Sequence, residues 1–259
     1  HATLLALNQQ SSLEPRGGLR WNFAPRHALS VGVGVHSRTE GLSTYFAEVK
    51  AKDGTISYAN KNLALLKSAH FVLGYEFRPR DGWRLQAEAY FQRHYDVPIG
   101  TVNTKSAVWR TESLLNLMDG YTTDSLVSDG TGRNYGLDLT MEKFLTKGFY
   151  FIFTTSFYQA KYTARDGVER NSRFNGRFVQ NVLLGKEWKM GKNKTNTLAV
   201  NVRSLWAGGN RFVPIDLAQS QKRNTTARIY ERSYEEQLPN YFRFDTRISF
   251  TKNRRRTTS

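Results

Sequence analysis

The chain has 259 residues, with 38 lysines and arginines against 22 aspartates and glutamates, which gives a formal net charge of +16. It contains no cysteine, so a disulfide framework and any thiolate metal site are excluded. No apolar run approaches the roughly 18 residues that a membrane-spanning helix needs, which excludes a helical membrane protein.

The chain opens with HATLLALNQQ, which has neither an initial Met nor a charged stretch ahead of an apolar core. We therefore expect a fragment or a processed chain.

Most later segments alternate apolar and polar side chains with the period of two that is typical of β-strands. In chain order these segments are HALSVGVGVHS, SAHFVLGYEFR, WRLQAEAYFQRH, NYGLDLTMEKF, NTLAVNVRSLW and RFDTRISF. FYFIFTTSFYQ (149–159) is apolar on both faces, and RFVQNVLLGKEWKM (177–190) has an ambiguous register. The pattern predicts about nine strands of about 10 residues or more, longer than the strands of most globular sheets.

The predicted connections alternate in length. Tight turns are expected at 24–26, 79–82, 146–148 and 191–194, and longer polar connections at 39–66, 95–131, 163–175 and 207–239. Aromatic residues gather near the predicted strand ends, among them Trp21, Trp83 and Trp188 at the short-turn end and Trp206 at the other. This predicts short turns at one end of a sheet, long loops at the opposite end, and two aromatic girdles.

Charged residues stand in mid-strand on the polar faces, where a packed soluble core would not accept them. They are Arg84, Glu88, Asp138, Glu142, Arg203, Arg243, Asp245 and Arg247. Such a face suits a water-filled or plugged lumen. Together with strand length, girdles and turn lengths, it predicts an all-β fold: a partial antiparallel transmembrane β-barrel with short periplasmic turns and long extracellular loops. A soluble β-sandwich is the alternative.

Several strings are similar to the C-terminal barrel region of TonB-dependent outer-membrane receptors of the Bacteroidetes type. They are SLEPRGGLRW, YANKNLALLKSAHFVLGYEF, AEAYFQRHYDVPI, DGTGRNYGLDLTMEKFLTKGFYF, RNSRFNGRFVQNVLLGKEWKMGKNKTNTLAVNVR, AGGNRFVPIDL and EEQLPNYFRFDTRISF. The resemblance implies that residues 1–259 form a partial barrel domain, without the plug domain, the first half of the barrel and the last two strands.

The same resemblance implies a receptor of the cell outer membrane that takes up a scarce nutrient, such as a siderophore, an oligosaccharide or a peptide. The implied partners are outer-membrane lipid and lipopolysaccharide, the plug domain of the same parent chain, TonB through an absent N-terminal region, and a surface lipoprotein. No catalytic signature is found, so we expect no enzyme and no cofactor. A soluble basic β-protein that binds nucleic acid or glycan remains open, as does a barrel enzyme or a simple porin.

The basic residues are spread over loops and turns and do not form one aromatic-lined groove. This favours lipopolysaccharide phosphates or an anionic ligand over nucleic acid as the partner.

Candidate ligand-binding residues are expected at the outer mouth. His36, His70 and His94 lie on the polar faces at the long-loop ends of three successive strands, and Trp109 and Tyr121 lie in the unusually apolar connection 95–132. Three imidazoles could hold a metal, but no ligand spacing fixes such a geometry, and we predict no metal site. The apolar connection either contacts ligand or packs on neighbouring loops or an accessory protein.

Overall fold

The computed structural model describes residues 2–5, 8–50, 54–102, 104, 106–117 and 124–252. Its strands are β1 (Ala2–Leu5), β2 (Gln10–Leu13), β3 (Arg16–Ala24), β4 (His27–Arg38), β5 (Val49–Lys50), β6 (Ile56–Ser57), β7 (Leu66–Phe77), β8 (Trp83–Gly100), β9 (Leu126–Thr146), β10 (Phe149–Thr163), β11 (Glu169–Asn171), β12 (Phe178–Met190), β13 (Asn196–Ala207), β14 (Arg211–Phe212), β15 (Glu236–Gln237) and β16 (Tyr241–Thr251). Three α-helices, α1 (Leu42–Tyr45), α2 (Ala107–Thr111) and α3 (Leu217–Arg223), and two 3-10 helices, Leu114–Asn116 and Tyr230–Arg232, lie in the connections. None of the described helices is long and apolar enough to cross a membrane.

Nine long strands form one antiparallel sheet. Each of them pairs with the long strand that precedes it and the long strand that follows it in the chain. The order is β16-β13-β12-β10-β9-β8-β7-β4-β3, and β11 adds a short pairing to β10. The sheet does not close on itself, so β3 and β16 are its two edges. The predicted all-β class, with about nine long antiparallel strands of a partial barrel, is confirmed.

One register runs across the sheet and separates its two faces. Cross-strand partners on one face form the apolar row Leu19, Val31, Leu73, Ala89, Leu137, Phe157 and Phe178. The neighbouring row on the other face is Arg20, Ser30, Gly74, Glu88, Asp138 and Ser156. We call the first the apolar face and the second the polar face.

Pairing resolves the register that the sequence left ambiguous in β12. Phe153 of β10 lies opposite Val182, and Phe151 lies opposite Leu184. These residues therefore share the apolar face, while Asn181 lies on the polar face. The neighbouring strand fixes this register, because the alternation within β12 alone does not.

The four predicted short turns are present, but one long connection is shorter than expected. The segment predicted as the connection 95–131 continues as strand at both ends, because β8 extends to Gly100 and β9 begins at Leu126. The ladder shifts register between His94 and Val97 and again between Val97 and Ile99. These irregularities let pairing continue beyond the regular sheet, as β-bulges do.

The buried hydrophobic residues lie mainly in the long connections. One cluster joins Tyr45, Leu63, Trp109, Leu114 and Leu126, and a second joins Tyr162, Ala164, Val213 and Tyr234. Large side chains of the apolar face are exposed instead, and Leu19 and Ile248 each expose 70% of their surface. The sheet therefore stands without a packed apolar layer against its apolar face.

Tyrosine rings on the polar face lie over glycines of the adjacent strand. The Tyr150 ring covers Gly185, and its hydroxyl donates to Asn201 Oδ1 at 2.8 Å. Tyr90 lies in the same way against Gly136. A Cβ at either glycine would overlap the tyrosine, so the absence of a side chain there makes room for the ring.

Gly185→Ala should therefore destabilise the fold by about 1–3 kcal/mol, the usual cost of overpacking. Gly32→Ala is the matched control on the same face, because a Cβ there has no atom within 4 Å. It should change stability by less than about 0.5 kcal/mol. Urea unfolding of the two purified variants measures the difference, and equal midpoints would contradict the packing of Tyr150 against Gly185.

Candidate functional site

All eight charged residues predicted to face a lumen lie on the polar face by register. Arg84 is paired with Glu142 at 2.7 Å, and Arg243 with Asp245 at 2.9 Å. Arg203 stands opposite Asp245 in the pairing of β13 with β16. Part of the charge on this face is therefore neutralised within and between neighbouring strands.

Two carboxylates on this face are not neutralised in this way. Glu88 on β8 and Asp138 on β9 are direct cross-strand partners. Neither has a lysine or arginine nitrogen within 4.0 Å among the residues that the structure describes. Like charges opposite one another destabilise a sheet unless a cation or a proton intervenes, so this pair is suited to a basic partner.

The three histidines of the predicted mouth meet on the polar face. His36 and His94 both pair with Ser68 across adjacent strands, and His70 lies one row below them. The His36 and His70 rings are 4.7 Å apart between centroids in an edge-to-face arrangement, and His94 Nε2 lies 3.0 Å from Asn134 Nδ2. Within the described ranges, no group of three His, Asp or Glu side chains is placed to hold a metal ion.

Several polar atoms on this face are buried but have no hydrogen-bond partner in the described part of the chain. They include Ser68 Oγ, His94 Nδ1 and Asp138 Oδ1. Nearby, Glu88, Tyr90, Gln92, Asn134 and Tyr158 line a pocket of ≈ 600 Å³, together with Val72, Asp138, Ala160 and Phe174. Buried polar atoms in folded proteins almost always have a hydrogen-bond partner. We therefore expect water, a ligand or further protein to form hydrogen bonds with these atoms.

Trp109 lies away from the polar face. It is only 4% exposed and packs in the loop cluster with Tyr45, Leu63, Leu114 and Leu126. This placement favours the packing interpretation of the apolar connection over direct ligand contact. Tyr121, the other candidate from this connection, lies outside the described residues.

A buried carboxyl group that no periodic pattern predicts fastens two long connections together. Glu112 accepts hydrogen bonds from Tyr234 Oη and Asn116 Nδ2, each at 2.6 Å, and from the Ser113 amide at 2.9 Å. The loop carrying α2 is thereby fastened to the last long connection, 122 residues further along the chain. Burial raises the pKa of Glu112 above its ordinary value, although these hydrogen bonds and Arg173 oppose the shift.

Beside this contact is a pocket of ≈ 390 Å³ that three arginines line. They are Arg173, Arg211 and Arg228, and Glu112, Tyr230 and Tyr234 also contribute. Arg211 is buried, and its guanidinium donates to the carbonyl oxygens of Asn175, Tyr234 and Glu235. These acceptors are uncharged, so the pocket retains positive charge and is suited to an anion.

An open antiparallel sheet of long strands, with an exposed apolar face, a charged polar face and short turns at one end, defines a partial transmembrane β-barrel as the class of protein. A family model described as "TonB dependent receptor-like, beta-barrel" matches residues 5–258. The chain belongs to this family of outer-membrane transport receptors. A comparison with curated proteins finds no match.

Three similar solved structures have the same fold. The FrpB iron transporter from Neisseria meningitidis is 11% identical with a TM-score of 0.56, and the alignment covers 92% of this chain and 32% of that one. The ferric-catecholate import receptor Fiu from E. coli is 11% identical with a TM-score of 0.60, with 95% and 30% covered. The outer membrane transporter YddB from Escherichia coli is 11% identical with a TM-score of 0.57, with 94% and 35% covered. The chain thus spans about a third of the length of these structures.

The raised pKa of Glu112 predicts that the two loops dock more tightly at low pH. The docked carboxyl group holds its proton more firmly than the released one, so this stabilisation is complete below the ordinary pKa of 4.5 and is lost as pH rises through the raised value. Amide exchange of 107–116 and 230–236, corrected for intrinsic rates, should show full protection below the ordinary pKa of 4.5 and falling protection as the pH rises above it.

Glu112→Gln is the matched control, because its amide is neutral throughout this range. Protection in this variant should be independent of pH. The same pH profile in both proteins would contradict the assignment to Glu112.

Proposed function

We propose that this chain is the barrel segment of a receptor that takes up a scarce nutrient across the outer membrane with energy delivered through TonB. The observation that carries the proposal is the polar face, on which Ser68 Oγ, His94 Nδ1 and Asp138 Oδ1 are buried without a hydrogen-bond partner among the described residues, while the opposite face exposes large apolar side chains. A sheet of this kind needs lipid on one side and polar material on the other.

The apolar face fits the hydrocarbon layer of a bilayer. Lipid offers no hydrogen-bond partner to the main chain, so a sheet crosses it only as part of a closed barrel. In this proposal, further strands of the parent chain pair with the edges β3 and β16.

The polar face fits a plug domain of the same parent chain. Basic side chains of such a plug would neutralise the Glu88 and Asp138 pair, and polar groups or water would satisfy Ser68 and His94. This accounts for cross-strand carboxylates that a free-standing sheet would not favour.

The outer mouth fits an anionic ligand. The arginine pocket beside Glu112 supplies charge among the long connections, and His36, His70 and His94 supply imidazoles on the polar face of β4, β7 and β8. Two of the similar structures are an iron transporter and a ferric-catecholate import receptor, and a ferric siderophore fits this mouth. The Bacteroidetes-type assignment and a surface lipoprotein partner belong to the same proposal and rest on the sequence resemblance.

Uptake tests the proposal directly. We expect the full-length receptor, expressed in cells lacking their own catecholate receptors, to import a radiolabelled ferric catecholate only when TonB is present. Arg173→Ala with Arg228→Ala should weaken binding by about tenfold or more, since hydrogen bonds to charged groups contribute about 1.5–3 kcal/mol each.

Arg110→Ala with Arg232→Ala is the control, because these exposed arginines lie outside the pocket in surface ion pairs with Glu231 and Glu235. Binding by this control should be unchanged. Equal uptake with and without TonB would contradict the transport proposal, and equal binding by both double variants would contradict the arginine pocket.

A further inference from the structure

Cations are concentrated at the short-turn end of the sheet, in every one of the four tight turns and after the last strand. We call this set the basic rim: Arg26, Arg78, Arg80, Lys143, Lys147, Lys186, Lys189, Lys192, Lys194 and Lys252. None of these residues lines the pocket of the polar face or the arginine pocket.

Most of the basic rim is not neutralised by the protein. Arg78 contacts Glu76 at 2.9 Å, and Arg26 lies 3.6 Å from Asp81. In the part of the chain that the structure describes, no carboxylate lies within 4.0 Å of the other eight cations. By contrast, many arginines of the long connections are in ion pairs, such as Arg170 with Asp166 at 2.6 Å.

Two of these eight cations lie beside aromatic residues of the apolar face. The Arg80 guanidinium is 5.0 Å from the centre of the Trp83 ring, and Lys143 Nζ is 5.2 Å from that of Phe149. Lys143 is also the cross-strand partner of Trp83. The cations therefore reach the side of the sheet that carries the apolar residues.

The same order repeats towards the far edge of the sheet. Lys192 and Lys194 lie in the fourth turn, beyond Trp188 near the end of β12. Lys252 follows Phe250 by two residues, so it continues the same face about 7 Å further along the strand direction. The order from apolar band to aromatic ring to cation is thus found at the ends of β8, β12 and β16.

This sequence of layers matches the layers of a membrane interface. Aromatic rings prefer the boundary between hydrocarbon and headgroups, and lysine or arginine side chains just beyond it meet the phosphate groups. Because eight of the ten rim cations have no carboxylate within 4.0 Å among the described residues, their charge is available to an external anion.

We propose that the basic rim binds the phosphate groups of anionic phospholipids in the membrane leaflet at the short-turn end. The inference rests on the proposed function, which places the apolar face in the outer membrane and the short turns on its periplasmic side. The leaflet there would hold phosphatidylglycerol around the receptor in preference to zwitterionic lipid.

Lipid retention tests this inference with the full-length receptor. The purified protein is exchanged into mixed micelles with equal amounts of phosphatidylglycerol and phosphatidylcholine, and native mass spectrometry counts the lipids that stay bound. The unmodified receptor should retain more than about five times as much phosphatidylglycerol as phosphatidylcholine. About fivefold is the contribution expected of a single cation near an anionic surface. A rim variant, Arg80→Gln with Lys143→Gln, Lys192→Gln and Lys194→Gln, should lose this preference.

Two further variants separate rim charge from other effects. Lys50→Gln with Lys61→Gln, Lys222→Gln and Arg223→Gln removes the same charge from the long connections and should keep the preference. Exchanging the four rim cations between lysine and arginine retains the charge and should also keep it. Equal retention of both lipids by the unmodified receptor, or the same preference in the rim variant, would overturn the inference.

The outcome is distinguishable from failure of the proposed function. A receptor that inserts into phosphatidylcholine vesicles and shows heat-modifiable mobility, yet has no lipid preference, overturns the lipid site alone. A receptor that inserts neither into phosphatidylcholine vesicles nor into phosphatidylglycerol vesicles overturns the membrane assignment and the lipid site with it.

Discussion

The structure depends on one antiparallel ladder, interrupted by a few bulges near strand ends, whose register is shared by nine long strands. Main-chain donors and acceptors bond along the ladder, which is the condition for placing a sheet in an environment that offers no hydrogen bonds. Because side chains alternate along each strand, the common register also sorts the whole chain into two faces. A slip of one residue in β8, β9 or β16 would move charged side chains onto the apolar face.

The ladder positions the chemistry that the chain offers. It brings histidines from β4, β7 and β8 onto adjoining rows of the polar face and sets Glu88 opposite Asp138. It leaves the long connections at one end, where Glu112 and Tyr234 join them across 122 residues. Packing in these connections, together with the hydrogen bonds of the ladder, takes the place of a central hydrophobic core.

Much of this fold could be predicted from local pattern. The alternation in HALSVGVGVHS and WRLQAEAYFQRH predicts strands that the structure has as β4 and β8, and the same alternation predicts which side chains share a face with Arg84 or Asp245. The register of β12 could not be predicted, because Leu183 and Leu184 are both apolar and only pairing with β10 decides that Leu184 is the one on the apolar face. The ends of β8 and β9 were missed because bulged pairing beyond His94 has no period of two.

The site was less predictable, since its contacts join distant parts of the chain. The period-two alternation places His36, His70 and His94 on one face. It does not predict the role of the buried Arg211, whose partners are the carbonyl oxygens of Asn175, Tyr234 and Glu235. Trp109 illustrates the same limit. An aromatic side chain in a long loop is compatible with a ligand contact or a loop core, and only the packing around it distinguishes the two.

The most direct test of this account is the environment of consecutive residues in β10. This chain contains no cysteine, so single cysteines introduced at 153–158 are the only thiols of this segment, and they can be spin-labelled in the full-length receptor in lipid vesicles once any cysteines elsewhere are replaced. The account predicts that labels at 153, 155 and 157 collide with lipid-soluble oxygen, while labels at 154, 156 and 158 are shielded from it. Equal accessibility at all six positions, or alternation with the opposite phase, would contradict a sheet whose apolar face meets lipid.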